Sequence, residues 1–497
     1  MSGAYPYKNM VMSLYKSQIS LYRLYLTVLF SGGAVMVIEL LGTRVIAPFY
    51  GTSLFVWSSL ISVTMLALAL GYFMGGELAD RNHRSTLPSA LLGVGLWVVA
   101  IPLFARWVLP ETNGLGLRWG ALVSSLILFL PCLTVLGMIA PLAIRVATQK
   151  LDTLGTTAGN IYAISTLGSV LGTLLVAFYL FPVFTSHDIF FATGSGLVLM
   201  GGLASLGHQG ERGTAAIYSK GLTLVVLTAA FAVIHISRQD LPLPPGAKSL
   251  ADGESLYGWV RVIDYPDKDL RILTSDASVI GAGSPSTGET RLRYQNLVTL
   301  IPSIRPNLRR VLVIGQGAGH IAMTLKRDYG IEADTVELDP LVAEAAVKHF
   351  DYHGAGKGIV GDGRYEMTKL KGPYDLIIHD CFTGGSEPTH LLSVEAFREV
   401  RRILAKDGLL VMNTVSFYEG GESRALASVV RTLGEVFPFQ RVFTSTPGEE
   451  FDDFVIVGSP EAIDIESLAS ANVRDFFLSH EVRIRPEVGQ ILTDDYN

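Results

Sequence analysis

Three acidic side chains, Glu337, Asp362 and Asp380, each follow a run that is typical of a buried strand. A glycine-rich turn, Gly315–Gly319, follows another such run at residues 311–314. Glycines in such a turn let backbone N–H groups approach a ligand, and the start of the next helix adds the positive end of a dipole. An acid roughly 20 residues beyond the first glycine, the place of Glu337, can accept hydrogen bonds from both hydroxyls of a ribose. The spacing therefore predicts a nucleoside site.

The type of nucleoside follows from what the turn lacks. A dinucleotide fingerprint has a third glycine where this chain has His320 and Ile321, so the sequence favours an S-adenosyl ligand over NAD. Glycines alone are also typical of any turn in a parallel sheet. The ordered set of the turn and three strand-end acids is more specific, because ligands of such sheets bind at the carboxyl ends of the strands.

Residues from about Gly253 to Asn413 resemble the spermidine synthase (polyamine aminopropyltransferase) family. With the hydrophobic half that precedes them, the whole chain resembles the membrane-fused branch of that family. The family implies a site for decarboxylated S-adenosylmethionine or S-adenosylmethionine as co-substrate, and we expect no metal. The segments that carry the resemblance are residues 254–257, Tyr294-Gln295, the turn at Gly315, residues 336–339, residues 361–363 and Asp380.

By this resemblance Glu337 would hold the ribose, Asp362 the adenine amino group and Asp380 the reacting amine. Alkylamines are mostly protonated at neutral pH. A carboxylate such as Asp380, the predicted catalytic residue, can hold the ammonium, orient the amine and accept its proton. The predicted nucleoside-binding residues are Gly315, Gln316, Gly317, Gly319, Glu337, Leu338, Asp362 and Gly363. The predicted substrate-binding residues are Tyr257, Tyr294, Gln295, His379 and Thr383.

The chain departs from the family pattern in the half of the site that would bind a diamine. Ala318 stands where the family usually has an acid in the glycine turn, and Thr383 where it has a second acid after the catalytic one. Gly258 replaces a glutamine. His379, His390 and a C-terminal tail at residues 492–496, which we expect to fold back over the site, are the candidates to compensate.

The N-terminal half has the composition of a membrane protein. Hydrophobic residues make up 49% of the 497-residue chain, charged residues 17%, and the mean hydropathy is +0.39. A bilayer core requires about 20 apolar residues per helix. Glycine pairs such as Gly71 and Gly75, or Gly168 and Gly172, allow close helix contact in lipid. The predicted spans are residues 24–47, 54–78, 87–109, 119–146, 156–184, 188–207 and 219–237.

The sequence supports two opposite orientations in the membrane. With seven spans in the cell (inner) membrane, the excess of Lys and Arg in the loops on the N-terminal side places the C-terminal domain outside. S-adenosyl compounds are made in the cytosol, so cofactor supply favours the inside. Both orientations stay open at this point.

The predicted architecture has three parts. Residues 1–240 form an all-α transmembrane bundle, 241–295 a linker and small antiparallel β domain, and 296–497 an α/β, Rossmann-like catalytic domain of the methyltransferase/spermidine synthase fold. Strands are predicted near residues 310–314, 333–338, 357–360, 375–380, 408–413, 440–445 and 453–457. Helices are predicted between them, including residues 340–350, 393–405 and 422–435.

Three functions fit these features. The first is a membrane-anchored aminopropyltransferase acting on a small-molecule amine. The second is an S-adenosylmethionine-dependent methyltransferase acting on an amine or a membrane-proximal substrate. The third is a polyamine or nucleoside transporter or sensor with a non-catalytic binding domain. Membrane lipid and a second copy of the C-terminal domain are expected partners, whereas a net charge of −6 argues against nucleic acid.

Overall fold

The computed structural model describes residues 5–51, 53–81, 86–148, 151–205, 243–354, 356–381 and 388–495. The chain divides into two compact units, Met1–Pro242 and Leu243–Asn497. The described part of the first unit is helical, and that of the second combines two β-sheets with helices. This division confirms the predicted fold class of a helical bundle followed by an α/β fold.

Long helices make up the described part of the first unit. They are α1 (Tyr5–Tyr50), α2 (Leu54–Asp80), α3 (Thr86–Asn113), α4 (Gly116–Ala147), α5 (Leu154–Leu175) and α6 (Ser186–Ser205). Within the described residues, five segments are long and apolar enough to cross a membrane, by length and composition: Leu21–Tyr50, Leu54–Asp80, Thr86–Asn113, Gly116–Ala147 and Leu151–Leu180. The sixth predicted span corresponds to α6, and the seventh lies outside the described residues. The predicted count of seven is therefore approximate.

Glycines let these helices approach one another closely. A Cβ on Gly71 of α2 would lie 2.3 Å from the carbonyl oxygen of Thr134 in α4. A Cβ on Gly172 of α5 would lie 2.8 Å from the carbonyl oxygen of Gly33 in α1. Because apolar burial drives little association between helices in lipid, close backbone contact of this kind is what holds such a bundle together.

The second unit begins with a four-stranded antiparallel sheet, called here the small sheet. Its strands pair in chain order: β1 (Lys248–Glu254), β2 (Trp259–Tyr265), β3 (Leu270–Ser275) and β4 (Ser278–Gly283). Valines 260 and 262 and Leu273 are buried on one face, together with Ala318 and Val342 of the following domain. The small sheet therefore shares a core with the segment that contains the glycine turn.

A seven-stranded mixed sheet forms the centre of the second unit. Its strands are β5 (Val311–Ile314), β6 (Ala333–Glu337), β7 (Gly358–Val360), β8 (Tyr374–His379), β9 (Leu404–Phe417), β10 (Phe439–Thr444) and β11 (Phe451–Ser459). Their order across the sheet is β10-β11-β9-β8-β5-β6-β7. Strands β5 to β9 pair in parallel, and β11 pairs antiparallel with both β9 and β10. All seven predicted strand regions are confirmed.

The described helices of this unit are α7 (Arg293–Leu300), α8 (His320–Tyr329), α9 (Pro340–His349), α10 (Gly363–Lys369), α11 (Val394–Ile403), α12 (Arg424–Gly434) and α13 (Ala471–His480). They cover both faces of the seven-stranded sheet. Successive residues of a strand point to opposite faces, so Val311 and Val313 of β5 enter one core, and Leu312 and Ile314 enter the other. β5 is the third strand from the β7 edge, and the chain continues from it first towards that edge, through β6 and β7, and then to the other side, through β8 and β9. Ligands of such sheets bind at this reversal, at the carboxyl ends of the strands.

Candidate active site

The glycine turn lies at the carboxyl end of β5, pressed against the end of β8. Gly315 has a φ of +94°, and a Cβ there would lie 1.8 Å from the carbonyl oxygen of Asp380. Gly317 has a φ of +53°, and its Cβ would lie 2.6 Å from the carbonyl oxygen of Ile280 in β4. Both positions therefore require glycine for conformation and for space. The turn is a tight backbone surface between two other segments.

Glu337, the last residue of β6, points its carboxylate into this turn. Its Oε2 accepts hydrogen bonds from the N–H groups of Gln316 at 3.1 Å and Gly317 at 3.0 Å, and its Oε1 accepts from Asp339 N–H at 3.1 Å. The side chain is buried, and burial raises the pKa of Glu337 while these N–H groups act in the opposite direction. Glu337 therefore lies directly against the glycine turn at the carboxyl ends of the strands.

Asp380 follows β8 and is held by two side-chain donors. The hydroxyl of Tyr294 donates to its Oδ2 at 2.8 Å, and the amide of Asn413 donates to its Oδ1 at 3.1 Å. Gln295 donates in turn to the Tyr294 hydroxyl at 3.2 Å. Burial raises the pKa of Asp380 to about 6, against the lowering effect of the two donors. The residue is a carboxylate whose pKa lies close to neutral pH, as a general base requires.

A second carboxylate, which the sequence analysis did not identify, lies beside this group. Asp453 of β11 accepts from the same Asn413 amide at 3.4 Å, and burial raises its pKa to about 6. The charge of Asp380 contributes to that shift. Asp453 is 73 positions from Asp380 in the chain. In the sheet, β9 lies between β8 and β11, so that Asp380 and Asp453 both contact Asn413 of β9. No local motif in the sequence marks it.

Asp362 lies at the carboxyl end of β7, at the start of α10. Its Oδ1 accepts from the N–H of Tyr365 at 2.8 Å and caps the helix. Its Oδ2 lies 3.4 Å from Nε2 of His390. Gly363 is buried, with space for no side chain because a Cβ would lie 2.8 Å from Ile314. One oxygen of Asp362 is therefore fixed by the helix cap, and the other lies near His390.

Several predicted residues lie apart from this group. His379 points into the core and is 2% exposed, and neither ring nitrogen has a hydrogen-bond partner among the described residues. Burial lowers its pKa to about 4. Tyr257 is exposed, in a turn that Ser255 attaches to Asp339 through a 2.5 Å hydrogen bond. Leu338 is half-buried, and Thr383 lies outside the described residues.

Ala318 is a buried residue of the glycine turn. Its side chain is 2% exposed and lies against β4, where a Cβ on Gly281 would be 2.5 Å from the Ala318 methyl. A carboxylate at this position would be buried against the apolar face of the small sheet, where an isolated charge is costly. The packing of the small sheet thus gives a physical reason for alanine here.

The residues that surround this site match a known domain. The family model described as spermine/spermidine synthase domain matches residues 291–449. This region is similar to the spermine/spermidine synthase family. The synthase domain contains Glu337, Asp362 and Asp380, together with Tyr294 and the glycine turn.

Two kinds of relative are similar to part of this chain. An N-terminal histidine N-methyltransferase of Emericella nidulans is 29% identical over 283 residues, which cover 49% of this chain and 49% of the relative. A polyamine aminopropyltransferase of Vibrio vulnificus is 36% identical over 117 residues, which cover 22% of this chain and 39% of the relative. The chain thus spans half or less of the length of these curated relatives.

Solved structures are similar at lower identity. A probable spermidine synthase from Corynebacterium glutamicum is 21% identical with a TM-score of 0.39, covering 49% of this chain and 97% of that one. A spermidine synthase from Thermotoga maritima is 22% identical with a TM-score of 0.38, covering 48% of this chain and 81% of that one.

Among the described residues, no group of three or more His, Cys, Asp or Glu side chains is arranged to hold a metal ion.

Proposed function

We propose that this chain is a membrane-anchored transferase that moves an aminopropyl group from decarboxylated S-adenosylmethionine to an amine. The observation that carries the proposal is the environment of Asp380, which Tyr294 and Asn413 hold beside the glycine turn. Two further observations support it: the match of residues 291–449 to the synthase family, and the hydrogen bonds of Glu337 to the same turn.

The backbone and acids of the site suit the nucleoside half of such a co-substrate. The turn leaves space only for glycine at residues 315 and 317, where a Cβ would meet the carbonyl oxygens of Asp380 and Ile280. Glu337 is a buried acceptor beside this turn, suited to ribose hydroxyls, and Asp362 is an acceptor at the end of the neighbouring strand, β7. When bound, the sulfonium supplies a good leaving group.

Asp380 would prepare the acceptor for attack. At neutral pH a carboxyl group with a pKa of about 6 is mostly ionised, and an alkylamine is mostly protonated. Asp380 accepts a hydrogen bond from the ammonium and then its proton, which leaves a lone pair on nitrogen. That lone pair attacks the carbon beside the sulfonium. The carbon–nitrogen bond forms as the carbon–sulfur bond breaks, and the bonding electrons stay on sulfur as a thioether. Asp380 then releases the proton to water.

Methyl transfer to an amine is a second candidate. The relative from Emericella nidulans, an N-terminal histidine N-methyltransferase, aligns over 283 residues and therefore beyond the synthase domain itself. Ala318, buried against the small sheet, offers no acid to the amine of an aminopropyl tail. The same Asp380 would serve as base, and the methyl carbon of S-adenosylmethionine would replace the aminopropyl carbon.

The helical half would fix the enzyme in the cell membrane as a multi-pass protein. Five described segments have the length and apolar character for it. The distribution of Lys and Arg favours an external catalytic domain, and the cytosolic origin of S-adenosyl compounds favours an internal one. A reporter fused to the C-terminus and assayed in intact cells distinguishes the two orientations.

The two candidate reactions are separated by offering the purified full-length protein each co-substrate with a panel of amines. Mass spectrometry of the products distinguishes an added aminopropyl group from an added methyl group. Asp380→Asn should keep nucleoside binding and lose turnover by at least about 100-fold. Exposed Asp407 offers a matched control, and Asp407→Asn should leave turnover unchanged. Full turnover in Asp380→Asn, or no binding of either S-adenosyl compound by the wild type, would refute the proposal.

A further inference from the structure

Residues 490–494 have a defined place on the synthase domain. Gln490 donates its N–H to the hydroxyl of Ser428 in α12 at 2.9 Å. Leu492 donates its N–H to the hydroxyl of Thr432 at 2.9 Å, and its carbonyl accepts from the N–H of Val394 at 2.9 Å. These contacts hold the chain between α12 and the start of α11, so Asp494 reaches Arg364, two residues after Asp362.

Asp494 is the residue that makes contact there. Its Oδ2 accepts from Nη2 of Arg364 at 2.9 Å, its Oδ1 lies 3.4 Å from Nη1, and the hydroxyl of Ser393 donates to Oδ1 at 2.5 Å. The N–H of Asp494 donates to Glu395 at 3.0 Å. The Arg364 side chain is about one fifth exposed. A two-point ion pair of this kind fixes an arginine in direction as well as in position.

Arg364 connects Asp494 to the predicted adenine-binding acid. It follows Asp362 and Gly363 in the chain, and its Nη1 also donates to the carbonyl oxygen of His390 at 2.8 Å. The imidazole of His390 lies 3.4 Å from Oδ2 of Asp362. Because Oδ1 of Asp362 is occupied by the helix cap, Oδ2 is the oxygen available to a ligand. His390 therefore lies beside that oxygen, and Arg364 contacts the His390 backbone.

We propose that Asp494 is a positioning residue for the nucleoside site, acting on Asp362 through Arg364 and His390. The inference rests on the proposed function, because it takes Asp362 as an acceptor for the adenine amino group. Removal of the Asp494 carboxylate leaves Arg364 without its charged partner. The His390 carbonyl then loses a fixed donor, and Asp362 loses its neighbour in the orientation that a nucleoside requires.

The test measures the Kd of S-adenosylmethionine and its decarboxylated form by calorimetry with full-length protein. Asp494→Asn should weaken binding about fivefold, the factor that corresponds to ~1 kcal/mol for a partly exposed ion pair. At saturating co-substrate, kcat should stay unchanged. Asp495 offers the matched control, since it is exposed and makes no hydrogen bond or ion pair with any described residue. Asp495→Asn should bind as the wild type does.

A double-mutant cycle separates positioning from a general structural effect. In an Asp362→Asn background, Asp494→Asn should cause no further loss of affinity. If it causes the same loss in both backgrounds, or if Asp494→Asn and Asp495→Asn bind equally, the inference is wrong although the proposed function stands. If the wild type binds neither S-adenosyl compound, both fail. If Asp494→Asn does not fold, Arg364→Lys gives the same comparison, because lysine cannot span Asp494 and the His390 carbonyl together.

Discussion

Replacement of Tyr294 by phenylalanine should move the acid limb of the pH–rate profile to higher pH. The Tyr294 hydroxyl donates to Asp380, and this hydrogen bond opposes the increase in pKa that burial causes. In the variant, Asn413 remains as the second donor to the carboxylate. Loss of one donor destabilises the ionised form of Asp380 and leaves the protonated form unaffected. The pKa of Asp380 must therefore rise above its value of about 6.

The size of the shift follows from the strength of the lost contact. A hydrogen bond to a charged group contributes about 1.5–3 kcal/mol, and water entering the half-buried site recovers part of it. A net loss of ~1.4 kcal/mol corresponds to one pKa unit. Because the proposed mechanism requires the ionised carboxylate, Tyr294→Phe should lose about tenfold in rate below about pH 6 and almost nothing from this cause above about pH 8.

The assay is the ratio of kcat/KM for variant and wild type across this pH range. The titration of the amine substrate is the same for both proteins and cancels in the ratio. Tyr329 provides a control, since its hydroxyl contacts Ser303 at the surface at 3.2 Å, and Tyr329→Phe should give a ratio near one at every pH. A low but pH-independent ratio for Tyr294→Phe would refute the reasoning, because it would mean that the hydroxyl does not control the charge of Asp380.

Glu337→Gln should weaken the binding of S-adenosyl compounds at least about tenfold in calorimetry, because it removes a charged acceptor; unchanged affinity would contradict the ribose role. Gly315→Ala should lower thermal stability far more than Gly330→Ala, since both have positive φ but only the Cβ at 315 meets a backbone oxygen, at 1.8 Å. Equal losses of thermal stability would mean that the backbone conformation, and not the space for a Cβ, determines the loss. Burial lowers the pKa of His379 to about 4, so the folded state binds fewer protons than the unfolded state between about pH 4 and 6.5, and stability falls as pH falls through that window. His379→Leu should remove about 3 kcal/mol of this acid sensitivity, measured as Tm against pH, and an unchanged dependence of Tm on pH would contradict the reasoning.

The strands could be predicted because their residues are buried on both faces. Runs such as Val311–Ile314 and Tyr374–His379 are nearly all apolar, and short apolar runs between turns are typical of central strands. The spans of the first unit were predicted for a similar reason. The order of strands was not predicted, because pairing depends on contacts between distant parts of the chain. The place of β11 between β9 and β10 is the example that matters for the site.

The site divides in the same way. Glu337, Asp362 and Asp380 could be proposed because each ends a strand, and a strand end has a known position in a parallel sheet. Asp453 could not be proposed, because it lies within an antiparallel strand and not at the end of a parallel one. It is connected to Asp380 through Asn413 of the neighbouring strand. His379 was proposed for its residue type alone. Its place inside β8 turned it away from Asp380, because adjacent strand residues face opposite sides.

The contact between the small sheet and the glycine turn limits how this protein could be recombined with its relatives. A Cβ on Gly281 would meet Ala318, and one on Gly283 would lie 2.2 Å from His320. Any exchange of the first hairpins for those of a homologue that carries an acid at position 318 would join surfaces of mismatched shape and polarity. A working chimera has to take both segments from the same parent, so the crossover must fall before β1 or after α8.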